Sequence, residues 1–256
     1  MNNFIMRNII VLLLVLITLT GCNRKTIKPN LSPEERMAKA QKMFSNGDYL
    51  DAKTEFRIII LNFPGGSLSD QAQFYLAECH YNLKEHILAG EEYKKLIRAY
   101  PNSEYVDDAQ FKIAMSNYKL SPKSPLDQNY TDKAIEEFQR FLEDYPNSDL
   151  VPEANKFMKK SREKLGDKNF KIADSYRKRA FFRSAIIYYD YVLDNYYDTP
   201  FAEKSLWEKA ECYRQLGDQD QAGKFYKLYL EKYPKSSNAA KAKDLLSSNG
   251  NNKNQD

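Results

Sequence analysis

Residues 74–101 read FYLAECHYNLKEHILAGEEYKKLIRAYP, and this stretch decides the fold. Ala77 and Ala89 stand 12 residues apart, Tyr93 follows the second alanine by four, Tyr100 comes seven later, and Pro101 is next. The frame recurs at Ala40/Ala52, Ala173/Ala185 and Ala210/Ala222, and at Ala114/Ala134 with a gap of 20, and proline closes it in all but the fourth repeat. The aromatics four after its second alanines are Phe56, Phe138, Tyr189 and Tyr226, and those seven further on are Phe63, Tyr145, Tyr196 and Tyr233. Small residues at such spacing let two helices of a hairpin approach closely, and recurring aromatics are covered by the next hairpin. The spacing predicts an all-α, right-handed solenoid of five helical hairpins, an architecture that holds partners rather than performing chemistry.

The frame resembles the tetratricopeptide repeat, with three extra residues in the turn between repeats. In Tyr100-Pro101-Asn102-Ser103 and Tyr145-Pro146-Asn147-Ser148, proline stops one helix and Asn/Ser is expected to cap the next. Two departures stand out. The third repeat gains eight residues in its hairpin turn, within 121–131, where Pro122 and Pro125 forbid a continuous helix. This predicts a protruding loop, either a neutral insertion or a contact built on Leu126 and Tyr130. Between repeats three and four, the spacing from proline to alanine grows from 13 to 27 residues. One long helix over Asp149–Lys178 accounts for it, with Gly166-Asp167 as its weak point.

The flanks speak of location. Arg7, an apolar run over Ile9–Leu19 and the tetrapeptide Leu19-Thr20-Gly21-Cys22 resemble a lipoprotein signal ending in a lipobox. The expected organisation is a signal peptide over 1–21, lipidation at Cys22 and a polar tether over 22–33. Repeats one to three follow over 34–146, then the long helix with repeats four and five over 147–246, and a disordered tail over 247–256. Several acyl chains on one cysteine anchor a body to a membrane without inserting it. Asn23 in place of aspartate favours the outer membrane.

Composition excludes other classes. Thirty-nine basic against 35 acidic residues, with no basic block, does not favour nucleic acid, and a mean hydropathy of −0.70 fits a soluble body. Cys79 and Cys212 share a repeat position three repeats apart, too far for a bridge, which predicts two buried thiols. His80 and His86 lack a third ligand at metal spacing, so no metal or cofactor is expected. No phosphate loop or nucleophile motif is present, and the pairs Glu91-Glu92 and Glu136-Glu137 read as solvated helix faces. The chain does not read as an enzyme.

Lipobox, five repeats, long fourth-repeat helix and the 121–138 segment together resemble the BamD family, over about residues 22–246. That resemblance implies a periplasmic scaffold of the outer-membrane β-barrel assembly machine. Its C-terminal repeats would bind a BamA-like barrel protein, its N-terminal repeats would receive unfolded outer-membrane protein clients, and accessory lipoproteins could join. The basic contact that the family places in the second helix of repeat four is missing, because Tyr188, Tyr189 and Tyr191 occupy that stretch. Other envelope roles, serving peptidoglycan or Tol–Pal or supporting a hydrolase, stay open from the residues alone.

Positions three before and four after each first alanine share one helix face. In repeats one to three the row reads Met37/Phe44, Phe74/Tyr81 and Phe111/Tyr118. Either these aromatics fill space between helices, or Phe44, Phe74, Tyr81, Phe111 and Tyr118 line a groove for an extended apolar peptide. In repeats four and five the row becomes Phe170/Arg177 and Trp207/Arg214, which marks Arg177, Trp207 and Arg214 as candidate contacts to an acidic partner face.

Overall fold

All ten paired alanines and all five aromatics that follow them by four residues are fully buried. The computed structural model describes residues 31–252, with side chains to 247. Among them, eleven helices follow one another, and no strand occurs. The five hairpins pair α1 (Pro33–Ser45) with α2 (Tyr49–Asn62), α3 (Ser69–Asn82) with α4 (His86–Ala99), and α5 (Val106–Leu120) with α6 (Asn129–Asp144). Then α7 (Val151–Lys178) pairs with α8 (Phe182–Asn195), α9 (Pro200–Gln215) with α10 (Gln219–Lys232), and α11 (Ala239–Asn252) closes the stack. Each helix packs on its chain neighbours, and α7 also touches α5 and α9. Six separate hydrophobic clusters run along the stack in place of one central core. That is the energetic signature of a solenoid, in which stability is a sum over neighbours.

The chain begins its first helix with a capping box. The Ser32 hydroxyl accepts from the Glu35 amide at 3.2 Å, and the Glu35 carboxylate accepts from the Ser32 amide at 2.9 Å. Pro33, expected at the end of the tether, is the first helical residue. Four hairpin turns then repeat one device. The residue seven after the first alanine takes positive φ: Gly47 (84°), Lys84 (62°), Ala180 (60°) and Gly217 (78°). The next residue's amide reaches back five positions, as from Asp48 to Met43 and from Phe181 to Tyr176. These are Schellman caps, which favour glycine. An L-residue in this region costs about 1–2 kcal/mol, partly offset by the roughly 0.5–1 kcal/mol entropic cost of glycine. Lys84→Gly and Ala180→Gly are therefore each expected to stabilise the chain by about 0.5–1 kcal/mol, read as a higher denaturant midpoint.

The second helix of every repeat ends on the later aromatic of the frame. Phe63, Tyr100, Tyr145 and Tyr233 all cap with φ between −134° and −129° and ψ between 55° and 62°, outside the α region that a following proline disfavours. Tyr196 adopts φ −129° with no proline after it, so packing alone suffices there. The serines of these turns do not cap the next helix, contrary to expectation. Ser103 Oγ donates to Asp70 at 2.7 Å and Ser148 Oγ to Asp107 at 2.9 Å, tying each turn back to the preceding repeat.

Polar groups also pair inside the hairpins. Buried Arg36, Gln73 and Gln110 stand four before the first alanines and donate to Glu55, Glu92 and Glu137 at 2.8–2.9 Å. Glu92 and Glu137 thus belong to hairpin clasps and not to fully solvated faces. Where the buried aromatic is Tyr93 or Tyr226, the glutamate after the first alanine accepts its hydroxyl: Glu78 for the former, and Glu211 for the latter at 2.5 Å. The fourth repeat has Asp174 at this position, one methylene shorter and engaged with Arg177 and Lys178, and the Tyr189 hydroxyl has no hydrogen-bond partner. Tyr226→Phe should cost about 1.5–3 kcal/mol because it strips a bond to a charged acceptor. Tyr189→Phe should be neutral within about 0.5 kcal/mol or stabilising. Thermal denaturation of the two variants checks the contrast.

The long helix is continuous through Gly166, the weak point expected from the sequence. Gly166 is buried at a close crossing. A Cβ there would sit 3.0 Å from Thr199 Oγ1 and 3.4 Å from both Phe201 Cδ2 and Tyr196 Cβ. The glycine admits the turn between repeats four and five against α7. Arg162 straps the same turn, bidentate to Asp198 at 2.6–3.1 Å and bonded to the Asn195 carbonyl at 2.8 Å.

The third-repeat insertion docks on α7 rather than protruding. Ser124 Oγ donates to Asp167, Lys164 reaches Ser121 Oγ at 2.5 Å, and Lys168 reaches the Leu126 carbonyl at 3.2 Å. Inside it, buried Gln128 donates to the carbonyls of Lys123, Ser124 and Leu126, and its own oxygen accepts from Thr131 at 2.5 Å. Leu126 itself stays exposed. At the C-terminus, α11 continues to Asn252, six residues into the stretch expected to be disordered. Buried Ala239 and Ala242 fix its first turns, and propagation beyond a formed turn is inexpensive.

Candidate protein-interaction surfaces

In the row three before each first alanine, Met37, Phe111 and Trp207 are core. Phe111 is 4% exposed, with its ring centroid 5.7 Å from Phe141 and 6.0 Å from Phe138. Trp207 is 7% exposed between Tyr226 at 5.6 Å and Tyr229 at 5.3 Å. Both therefore leave the set of candidate contacts: each fills the space between its own hairpin and the next. Phe74 is half-buried and stacks on Tyr105 at 4.8 Å. The row four after the alanine is shallower. Phe44, Tyr81 and Tyr118 are half-buried and meet Tyr75 at 5.3 Å, His86 at 5.0 Å and Phe157 at 4.8 Å. Lys112 and Lys164 lie over the Tyr81 and Tyr118 rings at 4.8 and 5.5 Å.

The arginines that continue this row already hold carboxylates. Arg177 meets Asp174 at 2.6 Å and, across the repeat boundary, Glu208 at 3.1 Å. Burial opposes the charge on its guanidinium, but these acids prevail and leave it more firmly protonated than usual. Arg214 pairs with Glu211 at 2.8 Å. An acidic partner would have to displace these internal pairs.

Sequence reasoning missed the most open apolar surface of the C-terminal half. On α8, the Ala185/Tyr189 face is buried, so Ile187 and Tyr191 point away from it and stand 68% and 47% exposed. With Tyr188, Asp190, Asp194 and Asn169 they line a shallow cleft of ≈ 430 Å³. Tyr197, 71% exposed just beyond the helix, lines a neighbouring cleft that shares Asp194 with this one. Four-residue spacing opposite the paired alanine was the available signal.

The remaining expectations concern chemistry. Cys79 and Cys212 are buried free thiols, and burial pushes each up to about 12, where it stays protonated and inert. His80 is buried against the Glu85 carboxylate at 2.5 Å. Among the described residues no cluster of metal-ligating side chains occurs, and no helix is long and apolar enough to cross a membrane. Cys22 and the signal segment lie outside the described residues.

A family profile described as YfiO, outer membrane lipoprotein, matches residues 29–228. The chain belongs to the YfiO family. This is the BamD family, and its match spans all five alanine pairs and ends within α10. No curated protein matches the sequence. Solved structures similar to the chain include the TPR2AB domain of yeast Sti1 in an Hsp90 complex, at 14% identity and TM-score 0.46, over 84% of this chain and 82% of that one. A thermophilic TPR protein of Thermus thermophilus is similar at 17% identity and TM-score 0.36, over 84% and 99%. Membership in this family and the repeat architecture make the chain an envelope lipoprotein-family scaffold.

Proposed function

We propose that this member of the YfiO family is a lipid-anchored periplasmic scaffold of the outer-membrane β-barrel assembly machine. The observation that carries the reading is the family match across both halves of the solenoid. Cys22 takes the acyl chains and holds the body at the inner face of the outer membrane. The C-terminal repeats bind a BamA-like barrel protein, and the exposed Ile187/Tyr191 strip, rimmed by aspartates and with Tyr197 in the neighbouring cleft, supports a partner face that is apolar at its centre and basic at its edge. The N-terminal repeats receive unfolded outer-membrane clients over Phe44, Phe74, Tyr81 and Tyr118, whose half-buried rings suit weak, reversible contact.

Depletion tests this reading. Folded outer-membrane barrels are expected to disappear while periplasmic soluble proteins persist. Normal barrel levels together with weakened attachment of the outer membrane to peptidoglycan would instead support an adaptor of the Tol–Pal kind. Within the scaffold reading, Tyr81→Ala with Tyr118→Ala should reduce crosslinking to client peptides and leave barrel-protein copurification intact.

A further inference from the structure

Three positions of the repeat carry different groups between the second and third hairpins than between the fourth and fifth, and at two of them the aromatic and the thiol recur between the first and second. In the first repeat, Tyr49 packs in the cluster that contains Cys79 of the next. In the fourth, Phe182 and Ile186 pack with Cys212 of the fifth. The equivalent residues between repeats two and three are His86, Gly90 and Ser116. Aromatic, bulky and thiol groups are thus replaced by imidazole, hydrogen and hydroxyl. In place of a plug there is a cleft of ≈ 320 Å³ between α4, α5 and α6.

Two buried polar atoms line this cleft with no hydrogen-bond partner: His86 Nδ1 and Ser116 Oγ. Ser116 is 2% exposed. Such orphans are uncommon and costly. Gly90 adds a second anomaly, because a glycine inside a helix costs about 0.5–1 kcal/mol relative to alanine. A Cβ there would meet only Ser116 Cβ, at 3.9 Å, so no close approach of the backbone requires the glycine. It keeps the cleft open.

The lining selects the ligand. Glu91, Glu136 and Glu137 disfavour an anion, and Lys94 and Lys133 disfavour a cation. Burial, with Lys119 and Lys84 nearby, holds the His86 imidazole below its ordinary value, so it is neutral at pH 7. A neutral imidazole and a hydroxyl each pair with a group that both donates and accepts. The volume is about ten times the roughly 30 Å³ share of one water and sits at the small end of ligand pockets. Ile87, 58% exposed, supplies an apolar wall for the rest of a chain.

We propose that this cleft binds an uncharged amide of a polypeptide, a peptide group or an Asn/Gln side chain, between His86 and Ser116. On α5 the site faces away from the aromatic row, since positions −1, +2, +3 and +6 from Ala114 lie roughly 180° around the helix from positions −3 and +4, and it adjoins the row where His86 packs on Tyr81 at 5.0 Å. It stands independently of the barrel-assembly reading.

The chain has only two histidines, so ring-labelled histidine gives a direct reporter, with His80 as internal control. The full chain in detergent is titrated with N-acetyl-glutamine methylamide, N-acetyl-alanine methylamide and acetate, following the His86 ring signals by NMR. The glutamine probe is expected to shift them saturably, with a dissociation constant of about millimolar. A matching response to the alanine probe assigns the peptide group as ligand, and no response to it assigns the side-chain amide. Gly90→Leu should weaken binding at least about tenfold by filling the cleft, and Ser116→Ala by about fivefold, the loss of one hydrogen bond. A response to acetate alone, to no probe, or one unchanged in both variants would overturn the site.

Discussion

Trp207→Ala lowers the stability of the C-terminal repeats by about 3–5 kcal/mol, the range for truncating a large buried aromatic. Its indole lies between Tyr226 and Tyr229 and belongs to the cluster that unites α9, α10 and α11. Because a solenoid is stabilised by neighbour interfaces, the loss should be local. Hydrogen exchange should rise in α10 and α11 and stay protected in α3 to α6. A surface role for Trp207 predicts the opposite pattern, with stability unchanged and a partner lost. An unchanged midpoint in urea would show that burial does not govern the residue.

Gly166→Leu comes next in size. Three atoms of the Tyr196–Phe201 turn crowd the position at 3.0–3.4 Å, and a leucine side chain can enter only by pushing that turn off α7. Overpacking of this kind costs about 1–3 kcal/mol. The turn also carries Asp198, so displacement breaks the bidentate Arg162 bridge as well. Asp167→Leu is the control, since this neighbour sits on a half-buried face where it meets Ser124 and Lys171. It should loosen the docked insertion without separating repeats four and five. Small-angle scattering reads the first effect as an elongated particle. Equal profiles for the two variants would remove Gly166 as the joint.

The hairpins were legible because their determinants are local and periodic. Each alanine pair meets within one hairpin, and a fixed spacing reports it. The long helix was legible for the same reason: the surplus length between Pro146 and Ala173 contains no stop, and the observed helix starts at Val151, two residues inside the expected Asp149. Depth was not legible. Phe111 and Tyr118 share a face by spacing, yet α6 covers the first while the second meets Phe157 on α7 at its edge. The docked insertion depends on Lys164 and Lys168, about forty residues downstream, which no local pattern announces. The α8 strip escaped because the periodic signal marks the face of the paired alanine, whereas Ile187 and Tyr191 belong to the other side.

The claim at the centre is that the C-terminal half grips a barrel-assembly partner through that strip. Exposed apolar residues can be changed to charges with little effect on folding, so Ile187→Glu with Tyr191→Glu isolates the contact. The measurement is the amount of BamA-like barrel protein that copurifies with the full chain in detergent. Copurification should fall at least about tenfold in the double variant, with its melting temperature unchanged. Undiminished copurification by a folded double variant, or none even with the unaltered chain, would contradict the account.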